Sequence, residues 1–180
     1  MKSDIKNIKL SPVGKSRIEW ASTQMPVLEL IRKRFLKEKP FKGLKIGMAL
    51  HVTKETGVLV EVLEAGGAAV AISSCNPLST QDDTAAYLAK KSVQVFAYKG
   101  ENKEDYYKFI RAVVDTEPHL TIDDGCDLIS EIHINRPDLI KKLIGGCEET
   151  TTGINRLKAM ERDHALKYPI VAVNDNKTKH

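Results

Sequence analysis

The sequence predicts an α/β fold. It reads as a three-layer, doubly wound, mainly parallel sheet of the Rossmann-like or flavodoxin-like kind, with an N-terminal amphipathic helix. Three observations predict it. Short apolar runs of strand character alternate at least four times with segments of helical spacing. Polar residues collect just after those apolar runs, where open parallel sheets hold their ligands. Residues 16–37 carry a helical stripe before the alternation starts.

Ile18, Met25, Leu28, Ile31 and Phe35 make that stripe, Arg32, Lys33 and Arg34 fall mostly off it, and Pro40 ends it. Ile46–Leu50 is strand-like. Thr53–Ala65 is helix-like, with Val58, Val62 and Ala65 on one face, and Gly66-Gly67 stops it. Ala68–Ile72 reads as a second strand. Ser79–Lys91 reads as a helix opened by Ser79-Thr80-Gln81-Asp82, a capping-box variant. Val93–Tyr98 is a strand, Asp105–Thr116 a helix and Leu120–Ile122 a brief fourth strand. Leu139–Ile144 and Asn155–Leu166 read as helices, and Ile170–Val173 as a last strand after Pro169. Crossovers in such a sheet are right-handed.

The chain has 180 residues, a length that fits one domain spanning 1–180. Hydrophobic residues are 42% and charged residues 29%, which excludes a disordered chain. No apolar run approaches the roughly 18 residues that span a bilayer, and Met1–Leu10 lacks a signal-peptide core. Cys75, Cys126 and Cys147 are odd in number and far apart, which argues for reduced thiols and a cytoplasmic location. The net charge is +4, read as a mildly basic surface with no nucleic-acid or membrane partner. There is no internal repeat, no glycine-rich nucleotide fingerprint, no Cys-x-x-Cys and no His-Glu-x-x-His. No metal site is expected. His133 and Asp138 lack partners at ligand spacing, and His119 and His164 read as surface residues.

The chemistry gathers after the strands. His51-Val52-Thr53-Lys54-Glu55-Thr56 follows the first. Ser73-Ser74-Cys75-Asn76-Pro77-Leu78-Ser79-Thr80-Gln81-Asp82-Asp83 follows the second. Asp123-Asp124-Gly125-Cys126-Asp127 follows the fourth. Cys147-Glu148-Glu149-Thr150-Thr151-Thr152-Gly153 precedes the late helix, and Asn174–His180 closes the chain. Each string has a plain structural reading: helix caps for the Ser, Thr and Asp residues, and a small buried side chain for Cys75. Five such strings on one rim supply the hydroxyls, amides, carboxylates and histidine that a polyhydroxylated ligand, a sugar or nucleoside, requires.

In their order and spacing, Leu50–Thr56, Ser73–Asp82, Asp123–Asp127, Glu148–Gly153 and Val173-Asn174-Asp175 resemble the substrate-binding part of S-adenosyl-L-homocysteine hydrolases. The resemblance runs from about Gly14 to His180. It implies reversible conversion of S-adenosylhomocysteine and water into adenosine and homocysteine. In this family the ribose 3′-hydroxyl is oxidised with tightly bound NAD, which acidifies the 4′ hydrogen; elimination, addition of water and re-reduction follow. By motif, Asp124 corresponds to the base at C4′, His51 to the group that moves the proton at the 5′ position, and Lys179 to the group that deprotonates the 3′-hydroxyl. Glu149 corresponds to the ribose-binding carboxylate, and Thr53 and Glu55 to the adenine contacts, beside Leu50, Thr56 and Gln81. Cys75, Asn76 and Ser79 lie toward the homocysteine limb. Thr150, Thr151 and Thr152 correspond to NAD contacts.

Two departures stand out. Cys126 stands where many relatives have glycine or another small residue, and Asp83 replaces a residue that is often histidine. The dinucleotide-binding domain and C-terminal tail of the family have no counterpart here, so the chain alone is expected to be inactive. It is read as the substrate half of a longer, homotetrameric enzyme. The alternative is a naturally short nucleoside-binding module or a split-enzyme subunit. A receiver-like phosphoacceptor domain is disfavoured, because its acidic pair would follow the first strand rather than the fourth.

Overall fold

The computed structural model describes residues 2–179. The strands are β1 (Asp4–Ile5), β2 (Lys45–Ala49), β3 (Ala69–Ser73), β4 (Gln94–Ala97), β5 (Leu120–Asp123), β6 (Gly145–Glu148) and β7 (Ile170–Ala172). They form one sheet in the order β1-β4-β3-β2-β5-β6-β7, and every pairing is parallel. The helices are α1 (Ser11–Thr23), α2 (Pro26–Glu38), α3 (Lys54–Ala65), α4 (Asp82–Lys90), α5 (Lys103–Val114), α6 (Asp127–Asn135) and α7 (Thr151–Arg162). The three-layer, doubly wound parallel architecture is the one the sequence predicts.

Two cores explain why the sheet is covered on both sides. Ile46, Met48, Val70, Ile72, Val93 and Val95 pack under Ile18 of α1, Val58 and Leu63 of α3 and Leu88 of α4. Ala49, Ala71 and Phe96 project the other way, onto Phe109, Ile110 and Val113 of α5 and Leu128 and Ile132 of α6. Alternate residues of one strand thus serve opposite layers. A third cluster joins Ile129 of α6, Ile154 and Leu157 of α7, Cys126 and Tyr168. α1 crosses α4 at Gly14, where a Cβ would lie 1.9 Å from the Asp83 carbonyl oxygen.

Several boundaries differ from the sequence reading. The helix expected at 16–37 is two helices. Pro26 has no N–H to continue α1 and instead opens α2, with Met25 in the non-helical conformation φ −124°, ψ 60°. α2 has no buried residue; its Leu28, with Met25 just before the helix, packs half-buried against the main core. The capping box expected at Ser79 is absent, because α4 begins at Asp82 with Gln81 before it and no side-chain cap. The helix expected at Leu139–Ile144 is a 3₁₀ stretch, Pro137–Lys142, and α6 and β6 were not foreseen. The last helix spans Thr151–Arg162 rather than Asn155–Leu166. His119 is half-buried; its Nδ1 accepts the Lys45 N–H (3.0 Å). His133 is held by stacking on Tyr168, with centroids 5.3 Å apart, and by the Lys167 N–H (3.1 Å). No helix among the described residues is long and apolar enough to cross a membrane.

Candidate active site

The sheet grows in two directions from β2: toward β3 on one side and β5 on the other. Chain segments leaving β2 and β5 therefore diverge, and a crevice opens between them at the carboxyl edge. His51, two residues past β2, and Asp124, directly after β5, face each other across it. His51 Nε2 lies 3.4 Å from Asp124 Oδ2. His51 Nδ1 is 2.6 Å from Ser79 Oγ. When Nδ1 accepts the Ser79 hydroxyl proton, Nε2 carries the proton that faces Asp124. Cys75 Sγ lies 3.7 Å from the same Asp124 oxygen. Burial, then the Asp124 charge, pushes the Cys75 thiol up, so it is a poor nucleophile.

Glu149, just past β6, joins this group. Burial, then the like charge of Asp124, raises its carboxyl pKa, while Lys179 and His51 oppose the shift. Lys179 Nζ donates to the Glu149 carbonyl and to Asn174 Oδ1 (3.0 Å). Four strand ends thus bring His51, Cys75, Asp124 and Glu149 together, and the C-terminal turn adds Lys179.

The remaining expected residues spread along the same rim. Leu50 is buried beside β3, donating its N–H to the Ser73 carbonyl (3.2 Å). Thr53 is the N-cap position of α3, and Glu55 and Thr56 lie in its first turn. Glu55 Oε1 pairs with Lys54 Nζ at 2.8 Å, and this hydrogen bond holds the Glu55 carboxyl below its ordinary range. Gln81 Oε1 accepts the Lys54 N–H (3.0 Å) and so ties the start of α3 to that of α4. Asn76 is turned into its own loop, with Oδ1 accepting the Leu78 N–H (2.9 Å). Thr150 is the N-cap position of α7, and Thr151 and Thr152 are exposed in its first turn. Thr151 Oγ1 accepts from Asn174 Nδ2 (3.1 Å).

Beneath the rim are residues that the sequence reading did not single out. Glu148 is fully buried. Its carboxylate accepts the N–H groups of Gly125 (2.9 Å), Cys126 (2.9 Å) and Thr150 (3.0 Å). It thereby binds the turn carrying Asp124 to the turn carrying Glu149. That first turn has Gly125 and Cys126 at φ +118° and +68°, a left-handed conformation that costs Cys126 about 1–2 kcal/mol. Glu148 fits because residue 153 is glycine: a Cβ there would meet the Glu148 carboxylate at 2.2–2.5 Å. Asp123 is buried beside it and accepts the Asp124 N–H (3.0 Å) and the Ile129 N–H (2.9 Å). Burial pushes the Asp123 carboxyl up to about 8, against the pull of the Ile129 hydrogen bond. Arg156 of α7 clamps the turn from outside, donating to the Gly125 carbonyl (2.7 Å) and to Asp127 Oδ1 (2.9 Å). Buried acceptors of backbone N–H groups leave no periodic mark in a sequence; the one signal was their place inside the Asp-Asp-Gly and Glu-Glu-Thr-Thr-Thr-Gly strings.

A family model described as S-adenosyl-L-homocysteine hydrolase matches residues 2–137 and 134–180. An S-inosyl-L-homocysteine hydrolase of Methanocaldococcus jannaschii is 55% identical over 177 residues, which cover 98% of this chain and 43% of the relative. One from Methanosarcina acetivorans is 58% identical over 168 residues, covering 93% of this chain and 41% of the relative. An adenosylhomocysteinase of Aquifex aeolicus is 55% identical over 181 residues, covering 100% of this chain and 43% of the relative. The chain therefore spans less than half the length of these curated relatives. With a family match over nearly every residue and the ordered strings assembled on one rim, the chain belongs to the S-adenosyl-L-homocysteine hydrolase family.

Proposed function

We propose that this chain is the substrate-binding domain of an enzyme that interconverts S-adenosyl-L-homocysteine plus water with adenosine plus L-homocysteine. The observation that carries the reading is the convergence of His51, Asp124, Glu149 and Lys179 at the β2/β5 crevice. Each takes the role its motif implies. Lys179, anchored by Asn174, deprotonates the ribose 3′-hydroxyl, and Glu149 accepts hydrogen bonds from the ribose hydroxyls. Asp124 removes the 4′ proton. His51, relayed to Ser79, returns a proton to the departing sulfur and takes one from the attacking water. The exposed hydroxyls of Thr151 and Thr152 fit an edge contact with NAD. NAD, when bound, supplies the two-electron oxidant for the 3′ position. Most of its binding surface would come from chain outside this one, so the chain alone turns over no substrate. Turnover by the purified chain with added NAD overturns that point. In the full-length enzyme, His51→Ala and Asp124→Asn are expected to lower kcat at least a hundredfold; activity near wild type in either would remove the assignment.

The relatives carry two names, differing at position 6 of the purine, amine or oxo. Glu55 favours the amine. Its paired, ionised carboxylate only accepts hydrogen bonds, so it welcomes an exocyclic amine and repels the lone pairs of a 6-oxo group. Adenosine is therefore expected to compete with substrate better than inosine. Glu55→Gln, whose amide also donates, is expected to narrow the gap. Equal competition in the wild type would make the 6-oxo reading the better one.

A further inference from the structure

We propose that His51, Cys75 and Asp124 also form a binding site for a borderline divalent transition-metal ion of the Zn²⁺ class. His51 Nε2, Cys75 Sγ and Asp124 Oδ2 all lie within 4.8 Å of one another. Two of the edges are fixed: N···O is 3.4 Å and S···O is 3.7 Å. A tetrahedral ion with bonds of about 2.05 Å to nitrogen, about 2.0 Å to oxygen and about 2.3 Å to sulfur has edges of about 3.3 Å for N···O and about 3.5 Å for S···O. The N···O and S···O edges thus already stand within a few tenths of an ångström of coordination distance, and the N···S edge, within 4.8 Å against about 3.6 Å in a tetrahedral site, closes by rotation of the His51 and Cys75 side chains.

The donor set chooses the ion. Mixed imidazole, thiolate and carboxylate ligands suit Zn²⁺, Co²⁺ and Cd²⁺, whereas Mg²⁺ and Ca²⁺ want oxygen alone. Each ligand stands on a strand end, after β2, β3 and β5, which are neighbours in the sheet. The outer ring nitrogen of His51 is already held by Ser79 at 2.6 Å, the orienting contact that metal-binding histidines use. Thiolate and carboxylate together neutralise the ion, and the thiol proton leaves to solvent as sulfur coordinates. The fourth position opens toward the rim, where the His51 side chain is 45% exposed. Among the described residues no other group of three such side chains has this spacing. An ion seated here occupies the two side chains assigned above to proton transfer. If that assignment holds, the ion is a reversible inhibitor; the site itself does not depend on it.

Cobalt(II) titrated into the 180-residue chain is the test. One equivalent is expected to give tetrahedral visible bands and a thiolate-to-cobalt band in the near ultraviolet, both abolished by equimolar zinc. Cys75→Ser is expected to remove the near-ultraviolet band, while Cys126→Ser and Cys147→Ser keep it. His51→Ala and Asp124→Asn are expected to weaken binding at least tenfold. No band at stoichiometric cobalt, or a band that survives Cys75→Ser, overturns the proposal. Should Cys75→Ser not fold, zinc anomalous scattering from wild-type crystals decides. A peak between the three side chains supports the site; a peak elsewhere, or none, overturns it.

Discussion

Glu148 accepts three backbone N–H groups from two turns, and none of its atoms reaches solvent. A glutamine there presents an amide donor to at least one N–H donor. Glu148→Gln is therefore expected to cost about 3 kcal/mol of unfolding free energy, read by urea titration. The neighbouring glycine gives a sharper check. Gly153→Ala drives a methyl group into the carboxylate and is expected to destabilise by about 2 kcal/mol. In a Glu148→Ala background that clash is gone, and alanine's better helix propensity is expected to make the same change neutral or stabilising by up to about 1 kcal/mol. Additive effects of the two changes would contradict the packing argument. The final glycine of the Glu-Glu-Thr-Thr-Thr-Gly string is explained by a buried glutamate five residues earlier, a relation the string alone did not disclose.

At the scale of elements, α1 is fixed against α4 by the absence of one side chain. Gly14→Ala would place a methyl carbon 1.9 Å from the Asp83 carbonyl oxygen and 2.5 Å from its carbon. Backbone at both sides cannot yield, so a loss of at least about 2 kcal/mol is expected in thermal unfolding; a wild-type midpoint would show that the two helices are free to part. The sequence displayed the alternating units because apolar runs such as Met48-Ala49-Leu50 and Val93–Ala97 are bounded by turn residues. It hid others for definite reasons. β6 begins Gly145-Gly146, which reads as a turn although parallel pairing between β5 and β7 makes it a strand. α6 begins in the Asp-Asp-Gly-Cys-Asp string, whose polar residues read as site rather than as helix start, and its N–H groups are capped by Asp123 of that string and by the distant Glu148. Pro26 sat inside an unbroken apolar stripe whose periodicity continues across the break. The rim residues were legible because they cluster after strands; the carboxylates under them were not.

At the scale of the molecule, the carboxyl edge gathers acids whose ionisation burial disfavours. Asp123, Glu148, Glu149 and Glu101 all have raised carboxyl pKa values, with burial as the leading cause. For Asp123 the folded value is about 8, against about 3.9 unfolded. Between those limits the native chain binds more protons than the unfolded chain, so stability falls as pH rises through that window. Glu29 and Glu117 shift the other way through ion pairs, but their side chains reach solvent and are screened. The denaturation midpoint is therefore expected to be higher at pH 6 than at pH 8, and Asp123→Asn to shrink that difference even while lowering both midpoints. An unchanged difference would place the titration elsewhere. The strand order has a consequence in time as well. β2 pairs with β3 across one short crossover, but Met48 must wait for Ile122 to pair on its other side. Local contacts can form while the chain is still being made; the crevice between His51 and Asp124 cannot, because one wall is translated long after the other. Closing so long a loop slows the search for the native pairing. A ribosome-bound chain halted before β5 would expose one bare edge of β2 and no crevice at all, so the rim is completed abruptly, late in folding.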